Sequence, residues 1–496
     1  MALQLLHLPV ELLRRVVECT AEPSGEVDSY AQLVARKDGL ETLRSLRLVC
    51  KTLSTITTPV LFQTVGVHPS FPQDAPQESV ERYNRILEHE ELRKHVRSVH
   101  FDTFEVKPIR AYLRGRGVSE EYLQSLSRLK EFPNLNAAML RFSQNWIAGE
   151  RAQPQQSYAF SRPIREAFCK ALTDPLTRDV KHISLQNILA NPRSLTELED
   201  HVPILTRVSS FTLSIIGSQG DRGLRSPYIF QHRYLPFFML LPNWLASAST
   251  NLTHLALYFF ADWTYNFFPP LELQKVHFPH LHTLALGDYA IARCAHVDWI
   301  TGHGRTLRRL FLHHCPIIVY RIIYPPFAVP VSDPEGVELH ADEGQHPHRL
   351  LQLVNFNSSS RPRATQFTSL RWADVFARLG AELPRLEEFR FGACNDDVRN
   401  MSDAEVYLNM KTELYEWRYK YFDSMRPGPM YVPIRRAREA GRFSPTEGSE
   451  TDAGKQFSGF LGEVQKGDVD REDGRALMKL CRGKRGGCGE EGVVFV

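Results

Sequence analysis

Leu307-Arg-Arg-Leu310-Phe-Leu312-His-His-Cys315-Pro-Ile317 puts apolar residues at its first, fourth and sixth positions and then turns through a cysteine. Alternation with a period of two is the pattern of a half-buried strand. The same cadence returns in Leu386-Glu-Glu-Phe389-Arg-Phe391-Gly-Ala-Cys394. It also appears as Val96/Val99/Phe101, Val180/Ile183/Leu185, Val208/Phe211/Leu213, Leu252/Leu255/Leu257 and Leu281/Leu284/Leu286, with weaker copies at Leu135/Ala138/Leu140 and Leu351/Val354/Phe356. Helical runs precede several copies, at 236–247 before Leu252 and at 372–383 before Leu386. A strand plus a helix, recited over residues 91–400, makes an α/β fold.

Spacing gives the cadence a second meaning. Val180 to Val208, Leu252 to Leu281 and Leu281 to Leu307 are 28, 29 and 26 residues apart, inside the range of leucine-rich repeats. The chain resembles the irregular leucine-rich repeats that follow an F-box, with intervals of 44 residues that require insertions or degenerate copies. This resemblance implies a solenoid in which Cys315 and Cys394 occupy the inward ladder position. Another α/β arrangement, in which the motif marks only half-buried strands, remains the alternative. On the repeat reading the alternate residues face the concave side: His100 and Asp102, His182, Ser184 and Gln186, Thr212 and Ser214, Ala256 and Tyr258, Phe311 and His313, Arg390 and Gly392. The mixture is polar, aromatic and small, with no dominant charge. Among these, His100, His182, Gln186, Tyr258, Phe311, His313 and Arg390 are the expected contacts to a target protein.

The first 65 residues read differently. Leu8-Pro9 ahead of Glu11 is a helix start, because proline loses nothing where its N–H would be unpaired and a carboxylate suits the positive end of the dipole. Leu8, Leu12, Leu13, Val16 and Val17 then recur at three and four, as do Leu43, Leu46, Val49, Cys50, Leu53 and Ile56 in a second helix expected over 40–56 and ended by Pro59. So small a helical module cannot bury all of its apolar residues, and part of that face needs a partner. LPVELLRRVV and LRSLRLVCKTLSTITTPVLFQTV resemble the two halves of an F-box. That resemblance implies a trihelical module docking on the Skp adaptor of an SCF (Skp, cullin, F-box) ubiquitin ligase through Leu8, Pro9, Leu12, Leu13, Val16, Leu46, Val49, Cys50 and Leu53. Residues 21–39 make the inter-helix segment longer than the family's pattern. The expected role is a non-catalytic substrate receptor, reaching cullin through the adaptor and holding a target on the repeats. An interaction scaffold outside any ligase is the second reading.

Composition bounds the rest. With 496 residues, 43% hydrophobic and 24% charged, the chain is globular, and Lys+Arg 60 against Asp+Glu 57 makes nucleic acid an improbable partner of the whole surface. Eight scattered cysteines and an N-terminus without a basic region before an apolar core indicate a reduced protein of the cytoplasm or nucleus. The most apolar stretches, 228–245 and 316–331, contain arginines and prolines, so neither is expected to span a membrane. Residues 66–90, around the Pro69 to Gln77 stretch, read as a linker and 332–348 as an insertion. Ser402-Asp-Ala-Glu405 is a capping box followed by Tyr407, Met410, Leu414, Trp417 and Tyr421 at helical spacing. It predicts a helix within 401–440 that caps the repeats, and residues 441–496 read as a disordered tail. Arg435-Arg436-Ala-Arg438 and Arg482-Gly-Lys-Arg485 read as solvated surface.

No catalytic pattern emerges. In His313-His314-Cys315 the repeat reading turns His313 to the concave side and Cys315 inward, so they diverge; His280-x-His282 and His346-x-His348 lack the third and fourth ligands of a metal site, and Cys481 and Cys488 lack partners. Asp396-Asp397 reads as turn solvation. Neither a Gly-x-Ser-x-Gly elbow nor a phosphate loop nor His-Glu-x-x-His is present, so no enzyme, metal or cofactor is expected.

Overall fold

The computed structural model describes residues 8–21, 29–69, 78–103, 118–142, 154–189, 202–216, 237, 240–260, 273–323, 364–392, 410, 412–423, 430–433, 456, 459–461, 463–464 and 466–482. The fold is α/β. Nine strands form a parallel sheet in chain order: β1 (Thr64–Val67), β2 (Ser98–Asp102), β3 (Ala137–Arg141), β4 (His182–Leu189), β5 (Ser210–Ile216), β6 (His254–Phe260), β7 (Thr283–Gly287), β8 (Arg309–His313) and β11 (Glu388–Gly392). Between β8 and β11 come β9 (Ile317–Ile323) and β10 (Ala364–Phe367). These two belong with β12 (Tyr419–Asp423) and β13 (Met430–Pro433) to a second sheet of order β10-β9-β12-β13.

Eight of the apolar triplets supply strands of the large sheet, and their fourth and sixth positions stack in register. Val99 lies beside Ala138, Ala138 beside Ile183 and Ile183 beside Phe211, while Leu284, Leu310 and Phe389 do the same further along. The first position of each triplet is buried just ahead of the strand, as at Val96, Val180, Val208, Leu252, Leu281 and Leu307. A ninth copy, Phe62-x-x-Val65-x-Val67, was legible in the same pattern and forms β1, with Val65 and Val67 buried. The triplet Leu351/Val354/Phe356 and Cys394 lie outside the described residues.

Two backbone devices repeat with the strands. At most steps of the large sheet one carbonyl just before a strand accepts two consecutive N–H groups from the start of the next. Gln63 O takes Arg97 and Ser98, Arg97 O takes Asn136 and Ala137, Asn136 O takes Lys181 and His182, and Lys181 O takes Ser209 and Ser210. His282 O and Arg308 O do likewise for β8 and β11. Two residues past the last apolar position, Asn187, Asp288 and His314 adopt positive φ of 58°, 53° and 51°. Asparagine, aspartate and histidine tolerate this region better than other side chains. There, Asp288 N–H donates to His313 O and His314 N–H to Gly392 O, so the turn is bonded to the next strand. Cys315 follows it fully buried, its Sγ donating to Leu286 O at 3.3 Å.

The chain divides into two compact units. The first, residues 1–221 with 247–257 and 394–409, contains the N-terminal helices and β1–β5. Its sheet packs one face on helices. Phe101 of β2 meets Tyr83, Tyr122 and Phe168, three aromatic residues from helices Glu78–Glu88, Glu120–Ser127 and Pro154–Thr173, with ring centroids 6.0–6.3 Å apart. Each such buried side chain contributes about 1.5–3 kcal/mol in area terms. The expected linker 66–90 is therefore corrected. It holds the end of β1 and the helix Glu78–Glu88, which buries Val80, Tyr83, Ile86 and Leu87.

In the second unit, residues 222–246, 258–393 and 410–496, two further expectations change. No α-helix covers 412–423; the chain is extended at 412–415, makes one 3-10 turn at Glu416–Arg418 and ends in β12, parallel to β9. Carbonyls on the outer edge of β11 require donors, and an extended segment supplies them: Glu413 N–H donates to Phe391 O at 2.8 Å. The capping box at 402–405 lies outside the described residues. Nor is all of 441–496 without structure, because Asp468–Cys481 is a helix with Val469, Leu477, Leu480 and Cys481 buried against helix Trp372–Glu382.

Asp473 locks that helix in place. Its carboxylate, with no exposed surface, accepts from Arg418 Nε at 3.0 Å, from Tyr419 OH at 3.0 Å and from Ala373 N–H at 2.9 Å. Arg418 also pairs with Asp470. Tyr419 OH accepts from Trp372 N–H at 2.7 Å. Helix Trp372–Glu382 has no side-chain cap from its own Arg371; its first N–H groups are satisfied by Tyr419 and by a carboxylate 100 residues away.

Replacing Asp473 by alanine leaves the buried Arg418 with Asp470 as its remaining carboxylate and removes the partner of Tyr419 OH and Ala373 N–H, and should lower unfolding stability by about 3 kcal/mol, measured by urea titration. A second expectation concerns acid. Burial, with His277 stacked on it at 5.0 Å, pushes the His303 imidazole down to about 4. In the unfolded chain this group takes up a proton near pH 6.5, while the folded chain does so only near 4. Stability should therefore fall by up to about 3 kcal/mol as pH drops from 6.5 to 4, and His303→Gln should flatten that part of the stability–pH curve.

Candidate docking surface

Three helices, α1 (Val10–Ala21), α2 (Ser29–Val49) and α3 (Lys51–Phe62), form the N-terminal module. The single helix expected over 40–56 is two. Cys50 is extended (φ −160°, ψ 166°) and starts α3 as its N-cap, its carbonyl accepting from Ser54 N–H at 2.9 Å. Pro59 sits inside α3 rather than ending it. Nearby Thr55, Thr57 and Thr58 hydroxyls donate to carbonyls four residues back. At the start of α1, Pro9 O accepts from Leu12 and Leu13 N–H at 3.0 Å.

A small core closes the module. Leu13, Val17, Leu43 and Ile56 are buried together, with Leu46, Val60 and Leu61 packed against them. Leu53 is buried as well. Of the nine residues expected to contact an adaptor, Leu13 and Leu53 are thus placed inside, Leu46 and Cys50 are part-buried, and Leu8, Pro9, Leu12, Val16 and Val49 are exposed. Leu12 exposes 52% of its surface, Val16 42% and Val49 62%. Leu48, at 86%, belongs with them and was not anticipated. It stands out of step with the inward residues Leu43 and Leu46, so periodicity assigned it to neither face.

Charges border these apolar residues. Arg15 pairs with Glu18 and Arg44 with Glu41, both at 3.5 Å in solvent. Pairs of this kind contribute little. Arg47 lies over the Phe62 ring at 5.2 Å.

The residues expected to contact a target separate into two groups. His182 is exposed, and His100 and Arg390 are part-exposed. Gln186, Tyr258, Phe311 and His313 are buried, as are Asp102, Ser214 and Ala256, which corrects their assignment to an open surface. In the second unit the sheet side chains pack on one another. The Tyr258 ring occupies the space a Cβ on Gly287 would fill, 2.3 Å away, and lies 5.9 Å from the His313 ring. Arg390 crosses Phe311 at 5.9 Å and donates to Met410 O at 3.3 Å. Period two gave these side chains the correct strand position, but burial depends on what covers the strand.

Among the described residues no group of three or more His, Cys, Asp or Glu is placed to hold a metal, and no helix is long and apolar enough to cross a membrane. His313 and His314 have ring centroids 4.6 Å apart, while Cys315 points to Leu286 O. Asp396-Asp397, His346 and His348 fall outside the described residues. No protein-family model matches the chain, and no curated protein is similar to it.

The division between core and surface has a direct check. Leu13→Ala and Leu53→Ala should each lower stability by about 2–4 kcal/mol, whereas Leu12→Ala, Val16→Ala and Val49→Ala should change it by less than about 0.5 kcal/mol in thermal or urea unfolding.

Proposed function

We propose that this chain is the substrate-recognition subunit of an SCF-type ubiquitin ligase, an F-box module followed by irregular leucine-rich repeats. The observation that carries the reading is the apolar set Leu12, Val16, Leu48 and Val49, left in water beside a helical core already closed by Leu13, Val17, Leu43 and Ile56. Leu12 and Val16 stand one turn apart on α1, and Leu48 and Val49 are consecutive at the end of α2; exposed apolar residues of this kind suit protein docking. Leu46 and Cys50 flank them, and Leu13 and Leu53 act from beneath by holding the helices.

The repeat reading is supported by strands that follow one another in chain order, with one carbonyl serving two N–H groups at most steps. The function is then proximity. A target held on the repeat domain and a charged ubiquitin-conjugating enzyme brought through cullin share one small volume, so target lysines react at high effective concentration. The chain contributes binding and no reacting group.

Leu12→Asp combined with Val49→Asp is expected to abolish co-purification with the Skp adaptor while far-ultraviolet circular dichroism stays unchanged. Retention of the adaptor by a folded double variant overturns the docking assignment. Recovery of cullin with the wild-type chain and adaptor separates a ligase subunit from a scaffold that binds the adaptor alone.

A further inference from the structure

In the second unit a cleft of about 350 Å³ opens between the turns that lead into β8 and β11, with Gly302, Gly304 and Arg305 on one side and Glu382, Pro384 and Arg385 on the other. Helices Cys294–Thr301 and Trp372–Glu382 end at it. The two sides touch at Gly304, where a Cβ would lie 2.2 Å from Glu382 O and 3.1 Å from Thr301 O. Only glycine permits this approach.

The carboxylates of these segments are already taken. Arg378 bonds both oxygens of Glu382, at 2.8 and 3.1 Å, and reaches Asp298 at 2.7 Å. It holds the Glu382 carboxyl below its usual range, so that group is ionised and paired. Arg308 pairs with Glu387 at 3.2 Å, and Arg390 with Glu388 at 2.9 Å. Nor do the helix ends need a cation. The Asp298, Ile300 and Thr301 carbonyls accept from Gly302, His303 and Gly304 N–H, and Leu379 O accepts from Leu383 N–H. Arg305 and Arg385 are left over. Both are exposed, and among the described residues neither guanidinium has an ion-pair or hydrogen-bond partner.

Two unpaired like charges lining one cleft repel each other unless an anion lies between them. The guanidinium presents a planar fork of donors that matches carboxylate and phosphate oxygens. A single carboxylate offsets one such group, whereas a phosphate monoester, with a charge of about −1.5 to −2 at pH 7, offsets both.

We propose that this cleft binds a small, freely diffusing phosphate monoester whose phosphoryl oxygens accept from Arg305 and Arg385. Its volume is near the lower end of small-molecule pockets, and its lining is confined to the turns around residues 301–305 and 382–385. Such a site suits a phosphate carrying a few carbon atoms rather than a length of chain. It uses none of the adaptor-docking residues and does not depend on that reading.

The test is isothermal titration calorimetry of the full chain with glycerol 3-phosphate, inorganic phosphate, acetate and a phosphoserine peptide at physiological ionic strength. Glycerol 3-phosphate and inorganic phosphate should bind with dissociation constants of about 0.1–1 mM, and acetate about tenfold or more weakly. Arg305→Gln and Arg385→Gln should each weaken glycerol 3-phosphate about tenfold. Circular dichroism of both variants should match wild type, because the two side chains are exposed. Arg308→Gln, whose guanidinium serves Glu387, should bind like wild type. Absence of phosphate binding by the wild-type chain overturns the proposal, as does undiminished binding by a folded Arg305→Gln/Arg385→Gln variant. An equal loss in Arg308→Gln, or equal affinity for acetate, also overturns it by revealing unspecific attraction of anions. A phosphoserine peptide that binds more tightly than glycerol 3-phosphate and depends on both arginines overturns the assignment to a free ligand and gives the cleft to a modified protein.

Discussion

A carbonyl that serves two N–H groups of the following strand is the constraint on which this fold rests. Once Gln63 O has taken Arg97 and Ser98, the next strand begins at a fixed height, and Arg97 O stands ready to repeat the operation for β3. Each strand inherits its register from the one before. The apolar triplets then fall into rows without any further specification, and the helices between strands find a continuous apolar surface on one side. A slip of one residue would turn every triplet to the polar face, so the hydrophobic pattern and the backbone device enforce the same register.

Such a sheet has ends, and in the second unit the end is closed by chain that returns from afar. The extended segment at 412–415 donates to β11, and the helix Asp468–Cys481 brings Asp473 to the N-terminus of helix Trp372–Glu382. Arg418, Tyr419 and Asp473 form a network in which each buried polar group has a partner. Hydrophobic contact alone would hold the helix less specifically. The ionic lock fixes its position, since any displaced arrangement leaves a charge buried without its partner.

In the helical module Leu12, Val16, Leu48 and Val49 are among the large apolar residues that remain in water around a core already closed by Leu13, Val17, Leu43 and Ile56. Under the proposed function the adaptor would supply the cover that these residues lack.

Local pattern determined eight strands of the large sheet and the amphipathic character of the N-terminal helices, because periods of two and three to four are imposed by backbone geometry over a few residues; the second sheet, β9, β10, β12 and β13, and the break between helices at Cys50 were not read from it. Even the missed strand β1 carries the same triplet, in Phe62, Val65 and Val67. Which apolar residues of the module face inward was only half legible: Leu12 and Leu13 lie on the same sequence stripe, yet the packing of three helices covers one and leaves the other exposed. Leu414, Trp417 and Tyr421 fit an α-helical spacing, but the chain around Glu413 pairs with the edge of β11, Trp417 sits in a single 3-10 turn and Tyr421 in β12. The charged, glycine-containing stretch from 468 to 481 read as disorder because its stabilising partners, Arg418 and the first turn at Trp372, are distant in sequence. Burial and long-range polar pairing are properties of what lies across the fold, and only the tertiary structure brings those groups together.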